Sequence, residues 1–155
     1  MEDFRLRRAT SKDLDVLVRH RRLMFKEMSR PTAKQLDEMD ESYRRWARDL
    51  MGRRLFRGYI VMTGRKKVAA SGCVWLREQQ PSPGHGPEMV PYVLSVYTER
   101  EFRRKGLASM ILKESMAWAR KKGYPMILLH ASTAGRQVYE KLGWTSGREM
   151  EFWFE

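Results

Sequence analysis

The periodicity of apolar residues changes along the chain, and this change constrains the fold more than any other feature. In the first third, apolar residues recur at helical spacings as far as Met28 and again over residues 34–51. Residues 58–63 and 68–76 flank a Gly-Arg turn and have the β-branched and aromatic content of a strand hairpin. The chain therefore combines helices with strands.

In the second half, short apolar runs alternate with amphipathic segments. The runs at residues 92–97 and 126–129 predict buried strands, whereas residues 79–91, rich in proline, predict a loop. A helix is expected after Lys105, and a short helix is expected over residues 134–142. This order indicates an α+β (α/β mixed) class, and we expect one domain over residues 1–155.

Both ends of the sequence are predicted to add strands. Residues 4–8 alternate apolar and basic side chains, and Thr10 with Asp13 forms a capping box that starts the first helix. Residues 149–154 resemble a last strand, and their three consecutive aromatic side chains suggest a buried edge shared by a homodimer.

The overall charge and the cysteine content limit the partners and the compartment. Thirty-one Lys and Arg against 19 Asp and Glu give a formal charge of +12, which attracts nucleic acid, phosphorylated cofactors or acidic surfaces. A single cysteine, Cys73, excludes an internal disulfide. No apolar run approaches the roughly 20 residues of a membrane span. We therefore expect a cytoplasmic protein without a membrane segment.

Residues 96–109 carry the clearest chemical signal, because a strand there leads into a basic turn that opens a helix. The free N–H groups of a first helical turn attract phosphate, and Gly106 allows close approach of the backbone. The segment matches neither the Walker A pattern nor the dinucleotide fingerprint. An exposed basic loop would contain the same residues, so the spacing alone leaves both interpretations open.

Two segments together resemble a known family. Arg103-x-x-Gly106-x-Ala108 after an apolar strand resembles the R/Q-x-x-G-x-G/A acyl-CoA signature of the GNAT superfamily of N-acetyltransferases. Residues 128–144 resemble that family's second cofactor-contacting segment, which ends in Y-x-x-x-G-F, and here Trp144 replaces the usual phenylalanine. The resemblance extends over essentially the whole chain. It implies a mixed, mostly antiparallel sheet of about six or seven strands with about four helices, in which the fourth and fifth strands splay apart.

The resemblance also implies that acetyl-CoA lies in the splay. Backbone groups of the central strand would hold the pantetheine arm and the acyl carbonyl, and N–H groups of residues 104–109 would hold the pyrophosphate. Ser132 stands where many family members have an asparagine. The implied cofactor-binding residues are Leu94, Ser95, Val96, Arg103, Arg104, Lys105, Gly106, Leu107, Ala108, Ser109 and Ser132. No metal is expected.

For catalysis, the resemblance points to Tyr139 as the acid that protonates the departing thiolate, although a packing role would suit the same residue. The N–H of Val96 would polarise the acyl carbonyl. Four groups near strand ends could act as the base: Glu88, His85, Glu78 and His130. Glu88 ranks first, although a solvated carboxylate or a water relay is an alternative. At a strand end, a hydrogen-bonded structural histidine is the usual outcome for His130, and Cys73 is expected in the core.

We predict direct transfer of an acetyl group from acetyl-CoA to a primary amine of a small-molecule acceptor in a ternary complex. An enzyme of the same fold could instead acetylate protein N-termini or lysines. A basic nucleic-acid-binding module is the alternative from another class, because arginines alternate with aromatic residues around Arg44 and Arg45. The two matching segments favour the enzyme, since a nucleic-acid module would need neither Gly106 nor Tyr139.

Overall fold

A computed structural model describes residues 3–84 and 89–155, which form one mixed sheet and four α-helices. The strands are β1 (Phe4–Arg8), β2 (Phe56–Thr63), β3 (Val68–Glu78), β4 (Met89–Thr98) and β5 (Leu128–Leu129). The helices are α1 (Leu14–Met28), α2 (Ala33–Gly52), α3 (Leu107–Lys121) and α4 (Arg136–Lys141). None of these helices is long and apolar enough to cross a membrane.

The strands lie in the sheet in sequence order. Neighbouring strands from β1 to β4 are antiparallel, and β5 is parallel to β4. This arrangement confirms the mixed, mostly antiparallel sheet and the helix count. The described residues contain five strands, fewer than the resemblance implied.

Helices cover both faces of the sheet, which explains why the central strands read as nearly continuous apolar runs. In β2, Ile60 belongs to the core formed with α1 and α2, and its neighbour Val61 belongs to the core formed with α3. Gly72 lets α3 approach closely, because a Cβ there would lie 2.7 Å from Cγ2 of Ile111. The α3 helix is thereby packed directly behind the central strands.

The capping box predicted before the first helix is present. Thr10 and Asp13 bond reciprocally through their side chains and backbone N–H groups. Two hydrogen bonds of 2.8 Å from Arg7 also reach the Asp13 carboxylate. The Arg7 hydrogen bonds are the main reason that the pKa of Asp13 falls to about 2. The chain entry into α1 is therefore fixed to β1.

Three predicted elements differ from those in the structure. The last strand over residues 149–154 is absent, and the aromatic side chains Phe152, Trp153 and Phe154 are exposed, because β5 offers only two residues for pairing. The strand predicted over residues 126–129 is also shorter than expected, because β5 contains only Leu128 and Leu129. The predicted loop over residues 79–91 ends earlier, since β4 already begins at Met89. Pro91 is tolerated there because β5 pairs only with the next two residues of β4.

Candidate functional site

A cleft opens where β4 and β5 diverge. Their pairing is confined to Tyr92 with Leu128 and Val93 with Leu129, so residues 94–98 of β4 continue without a β5 partner. The cavity of about 490 Å³ is lined by β4, by α1 and by the segment from Leu129 through α4. This geometry confirms the predicted splay between the fourth and fifth strands.

A β-bulge interrupts β4 at the cleft. Cys73 of β3 pairs with Leu94, but Ser71 pairs with Tyr97, so β4 contains one residue more than β3 here. The bulge puts Ser95 in the left-handed region at φ 53°, a conformation that costs a non-glycine residue roughly 1–2 kcal/mol. Bulges of this kind leave backbone groups outside the ladder and are common beside binding sites.

The start of α3 is shaped for an anion. Gly106 is the N-cap residue at φ 79°, and Arg104 is also left-handed at φ 59°. The N–H groups of the first helical turn, from Leu107 to Ser109, have no partner within the helix. Ala108 lines the cleft, whereas Leu107 is buried in the core behind it. The helix start and the bulge therefore both border the splay.

The three basic side chains before this helix have different environments. Arg103 lines the cleft, but its Nη2 donates to both carboxylate oxygens of Glu27 at 2.9 Å. Burial opposes ionisation of Glu27, yet hydrogen bonds from Arg103 and Arg100 lower its pKa below the ordinary value. Lys105 lies over the rings of Phe4 and Phe102, 5.7 and 5.6 Å from their centres. Arg104 is exposed.

Tyr139 lies on α4 and lines the same cleft. Burial raises the pKa of its phenol, which therefore keeps its proton well above neutral pH. The ring packs over Gly135, where an added Cβ would lie 2.8 Å from the phenol oxygen. The Ser132 hydroxyl accepts a 3.1 Å hydrogen bond from the Gly135 N–H and also borders the cleft. A protonated phenol and the bulged part of β4 thus line the same cleft.

The structure describes two of the four candidate bases, Glu78 and His130. Glu88 and His85 lie outside the described residues. Glu78 is exposed at the end of β3. His130 borders the cleft, its side chain is 73% exposed, and its Nδ1 lies 4.0 Å from Oε1 of Glu151. The expectation of a buried structural histidine is wrong, because β5 ends one residue earlier.

Cys73 lies in the core, as predicted, and is 1% exposed. Burial raises the pKa of its thiol to about 12, so at neutral pH the group is protonated. A buried, protonated thiol is a poor nucleophile. The residues described contain no group of three His, Cys, Asp or Glu side chains that could hold a metal ion.

A buried cluster surrounds His20, which is 0% exposed and is not among the residues predicted from the sequence. Its Nδ1 lies 2.7 Å from Oγ of Ser71, and its Nε2 lies 3.0 Å from Oε1 of Glu99. A carboxylate only accepts hydrogen bonds, so Nε2 donates to Glu99 and, in neutral His20, Nδ1 accepts from the Ser71 hydroxyl. The cluster connects α1 to β3 and to the end of β4.

The next residue, Arg21, occupies a position in the apolar stripe of α1, between Val18 and Phe25. Its Nη1 donates a 2.8 Å hydrogen bond to Oγ of Ser95 at the bulge. Its guanidinium lies over the rings of Phe25 and Tyr43, 5.0 and 4.8 Å from their centres. The sequence signal for this contact was the charge of Arg21 at a position in an otherwise apolar helical stripe.

His20 predicts a specific pH dependence of stability. Burial lowers the pKa of His20 below 6.5, so the unfolded chain takes up this proton first as the pH falls. We expect the free energy of unfolding to decrease below pH 6.5 by up to about 1.4 kcal/mol per pH unit from this group. Urea unfolding of wild type and His20→Leu between pH 7 and 5 measures it.

The slope over this pH range should be smaller in His20→Leu. Leu17→Ala serves as a control that destabilises the same helix without removing a titrating group. An unchanged slope in His20→Leu would contradict the assignment of the pH dependence to this histidine.

A second groove of about 580 Å³ lies beside the cleft, lined by α1, by Tyr97 of β4 and by the residues that follow β4. It is more open than the cleft. Its acidic side chains are already paired with basic ones, Glu27 with Arg103, Glu99 with Arg19 and Glu101 with Lys67. The bulge, the α3 start and Tyr139 meet in the cleft, which is therefore the candidate site.

Known structures share this fold. A GCN5-related N-acetyltransferase from Ralstonia eutropha JMP134 superposes with a TM-score of 0.88 at 24% identity, over 98% of this chain and 99% of its own. A predicted acetyltransferase with acetyl-CoA from Clostridium acetobutylicum superposes with a TM-score of 0.82 at 24% identity, over 99% of this chain and 95% of its own. An aminoglycoside N-acetyltransferase in complex with CoA superposes with a TM-score of 0.72 at 14% identity, over 100% of this chain and 96% of its own.

The sequence itself agrees with these superpositions. A search of curated proteins found no significant match. The sequence model of the Acetyltransferase (GNAT) family, however, matches residues 21–144, which include the second half of α1, the bulge, the start of α3 and Tyr139. The chain therefore belongs to the acetyltransferase (GNAT) family.

Proposed function

We propose that residues 1–155 form a single acyl-CoA N-acyltransferase domain. The domain transfers an acetyl group from acetyl-CoA to a primary amine of a small-molecule acceptor, by direct transfer in a ternary complex. The supporting observation is the splay, where the Ser95 bulge, the start of α3 and Tyr139 border one cleft. Acetyl-CoA or CoA is present in two of the structures with this fold.

The residues of the cleft fit the two ends of acetyl-CoA. The bulged segment Leu94, Ser95 and Val96 offers backbone groups for the pantetheine arm. At the other end, N–H groups of residues 104–109 and the positive end of the α3 dipole suit the pyrophosphate. Lys105, Leu107, Ser109 and Ser132 complete the proposed cofactor contacts. The side chain of Arg103 is bound to Glu27, so Arg103 is proposed to act mainly by shaping the loop.

The transfer needs three proton or hydrogen-bond functions. The Val96 N–H is proposed to donate to the acyl carbonyl oxygen, and Glu88 to take the proton from the amine, directly or through water. The amine nitrogen then bonds to the carbonyl carbon while the carbon–sulfur bond breaks. Tyr139 donates its proton to the departing sulfur. The buried, protonated Cys73 agrees with a path that forms no acyl-cysteine.

Gly135 should be needed to position Tyr139. In Gly135→Ala the new methyl group would lie within 2.9 Å of three atoms of the Tyr139 ring and hydroxyl, so the phenol must move. We expect kcat to fall about tenfold, since a small misplacement of a catalytic group is costly. Gly147→Ala is the control, because a Cβ at Gly147 meets nothing within 4 Å. Equal kcat in the two variants would contradict this role.

The function is tested by thiol release from acetyl-CoA in the presence of a panel of small amines, with short peptides as a second panel. The proposal expects amine-dependent release with small amines at low enzyme concentration. Release with peptides alone would indicate a protein acetyltransferase instead. The absence of turnover, combined with tight and salt-sensitive RNA binding, would indicate the nucleic-acid-binding alternative.

Two further properties belong to the same proposal. The exposed aromatic side chains of residues 152–154 are proposed to be covered by a second copy in a homodimer, since large apolar patches rarely stay exposed. Light scattering should then give twice the chain mass, and deletion of these residues should give the single mass. The free thiol of Cys73 agrees with a cytoplasmic location.

A further inference from the structure

Two arginines line the cleft, and only one of them is paired with a carboxylate among the described residues. Arg103 is bound to the Glu27 carboxylate at 2.9 Å. Arg21, in the opposite wall, has no carboxylate within ion-pair distance anywhere in residues 3–84 and 89–155. The positive charge at the bulged end of the cleft is therefore not compensated by a described side chain.

The Arg21 guanidinium is nevertheless held in place. Nη1 donates to Oγ of Ser95 at 2.8 Å, and the aromatic rings of Phe25 and Tyr43 pack against the guanidinium. The preceding residue, His20, fixes this turn of α1 to the sheet through Ser71 and Glu99. An arginine held this way loses little further conformational freedom when a ligand binds.

Such an arrangement is unfavourable without an anion. A partly buried cation loses hydration, and its Nε is buried with no acceptor among the described groups. Cation–π contacts recover only part of that loss. An anion bound in the cleft against the Arg21 guanidinium would compensate its positive charge.

We propose that Arg21 binds a carboxylate of the acceptor, which makes the acceptor a small amine that also carries a carboxylate, as amino acids do. This inference rests on the proposed N-acetyl transfer. The planar guanidinium matches a carboxylate with two parallel hydrogen bonds. The site has one positive charge beside a neutral serine. It therefore matches the single negative charge of a carboxylate better than the double negative charge of a phosphate.

The position of Arg21 favours the acceptor over the phosphates of CoA. Arg21 contacts the bulge at Ser95, and β4 continues to Thr98 before the loop that leads to α3. Three residues of strand span about 10 Å, which separates Arg21 from the proposed pyrophosphate site. A carboxylate could reach the bulge from one other source, an acyl chain that is longer than acetyl and acidic.

Steady-state kinetics with acetyl-CoA separate these sources. The amines are α-, β- and ω-amino acids, each compared with its own carboxamide. We expect wild type to have a kcat/KM about 10–100-fold higher for the preferred amino acid than for its amide. Arg21→Gln should remove this preference by lowering the rate for the acid alone, with the Kd for acetyl-CoA unchanged, and Arg21→Lys should retain part of it.

Arg22→Gln is the matched control, because Arg22 is the next residue of α1 but pairs with Asp37 and Asp40. It should keep the preference for the acid. Equal kcat/KM for acid and amide in wild type, or a preference that survives in Arg21→Gln, would overturn the assignment. So would a weaker Kd for succinyl-CoA in Arg21→Gln with the amine preference intact, since the carboxylate would then be on the acyl chain.

If the proposed N-acetyl transfer itself is wrong, the same experiments give a different result. Wild type would then release no thiol with any amine or bind no acetyl-CoA, and this inference would fall with it. A wild type that acetylates amines without regard to a carboxylate overturns only the role of Arg21.

Discussion

Replacing Tyr139 with phenylalanine is expected to lower kcat about 100-fold while leaving the Kd for acetyl-CoA nearly unchanged. Phenylalanine keeps the ring that packs near Trp144, with ring centres 6.4 Å apart, and removes only the hydroxyl. The thiolate then leaves without a positioned acid. Because burial raises the pKa of Tyr139, the wild-type phenol is protonated throughout the neutral range. Initial rates and calorimetry on the same preparations separate kcat from Kd.

Tyr124→Phe is the control for this variant. Tyr124 follows α3 and contacts Trp118, with ring centres 5.9 Å apart, and it is absent from the described lining of the cleft. We expect unchanged kcat. If Tyr139→Phe also keeps the wild-type rate, Tyr139 is a packing residue and the acid must be sought elsewhere.

Replacing Gly106 with valine is expected to weaken acetyl-CoA binding about 10–100-fold, because hydrogen bonds to charged groups each contribute about 1.5–3 kcal/mol. At φ 79° a β-branched residue is strained, so the loop before α3 must change its path. A Cβ there meets no protein atom within 4 Å, so the loss would come from the loop and from the space that the phosphates need. Calorimetry with acetyl-CoA measures the effect.

Gly123 provides a matched control at the other end of α3. It has φ 84°, and a Cβ there also meets nothing within 4 Å. Gly123→Val should therefore cost similar folding stability, about 1–2 kcal/mol, without changing the Kd for acetyl-CoA. Equal losses of affinity in both variants would mean that general destabilisation, rather than the anion site, explains the result.

The sequence predicted the parts of the fold that depend on local patterns. The Thr10 capping box, the helical stripes of α1 and α2, and the glycine that opens α3 each have a local signature. The splay was predicted from the resemblance of two separate segments. The capping box, the stripes and the glycine could be found because short-range spacing determines them.

The remaining features depend on the partners that a segment meets in three dimensions. Residues 149–154 have strand composition, but the two-residue β5 provides no edge for them. The β4 bulge at Ser95 has no glycine to signal it and appears only from the register against β3. His20 was missed because its partners, Ser71 and Glu99, are 51 and 79 residues away in sequence. Arg21 gave a signal, a charge in an apolar stripe, whose meaning required its contact with Ser95.

The central claim is that the splayed cleft binds acetyl-CoA, and calorimetric titration of the wild-type chain with acetyl-CoA tests it most directly. The account predicts one acetyl-CoA per chain, bound with a micromolar or tighter Kd that weakens as salt is added, because part of the contact is with phosphate. An absence of binding heat at millimolar acetyl-CoA would contradict the account.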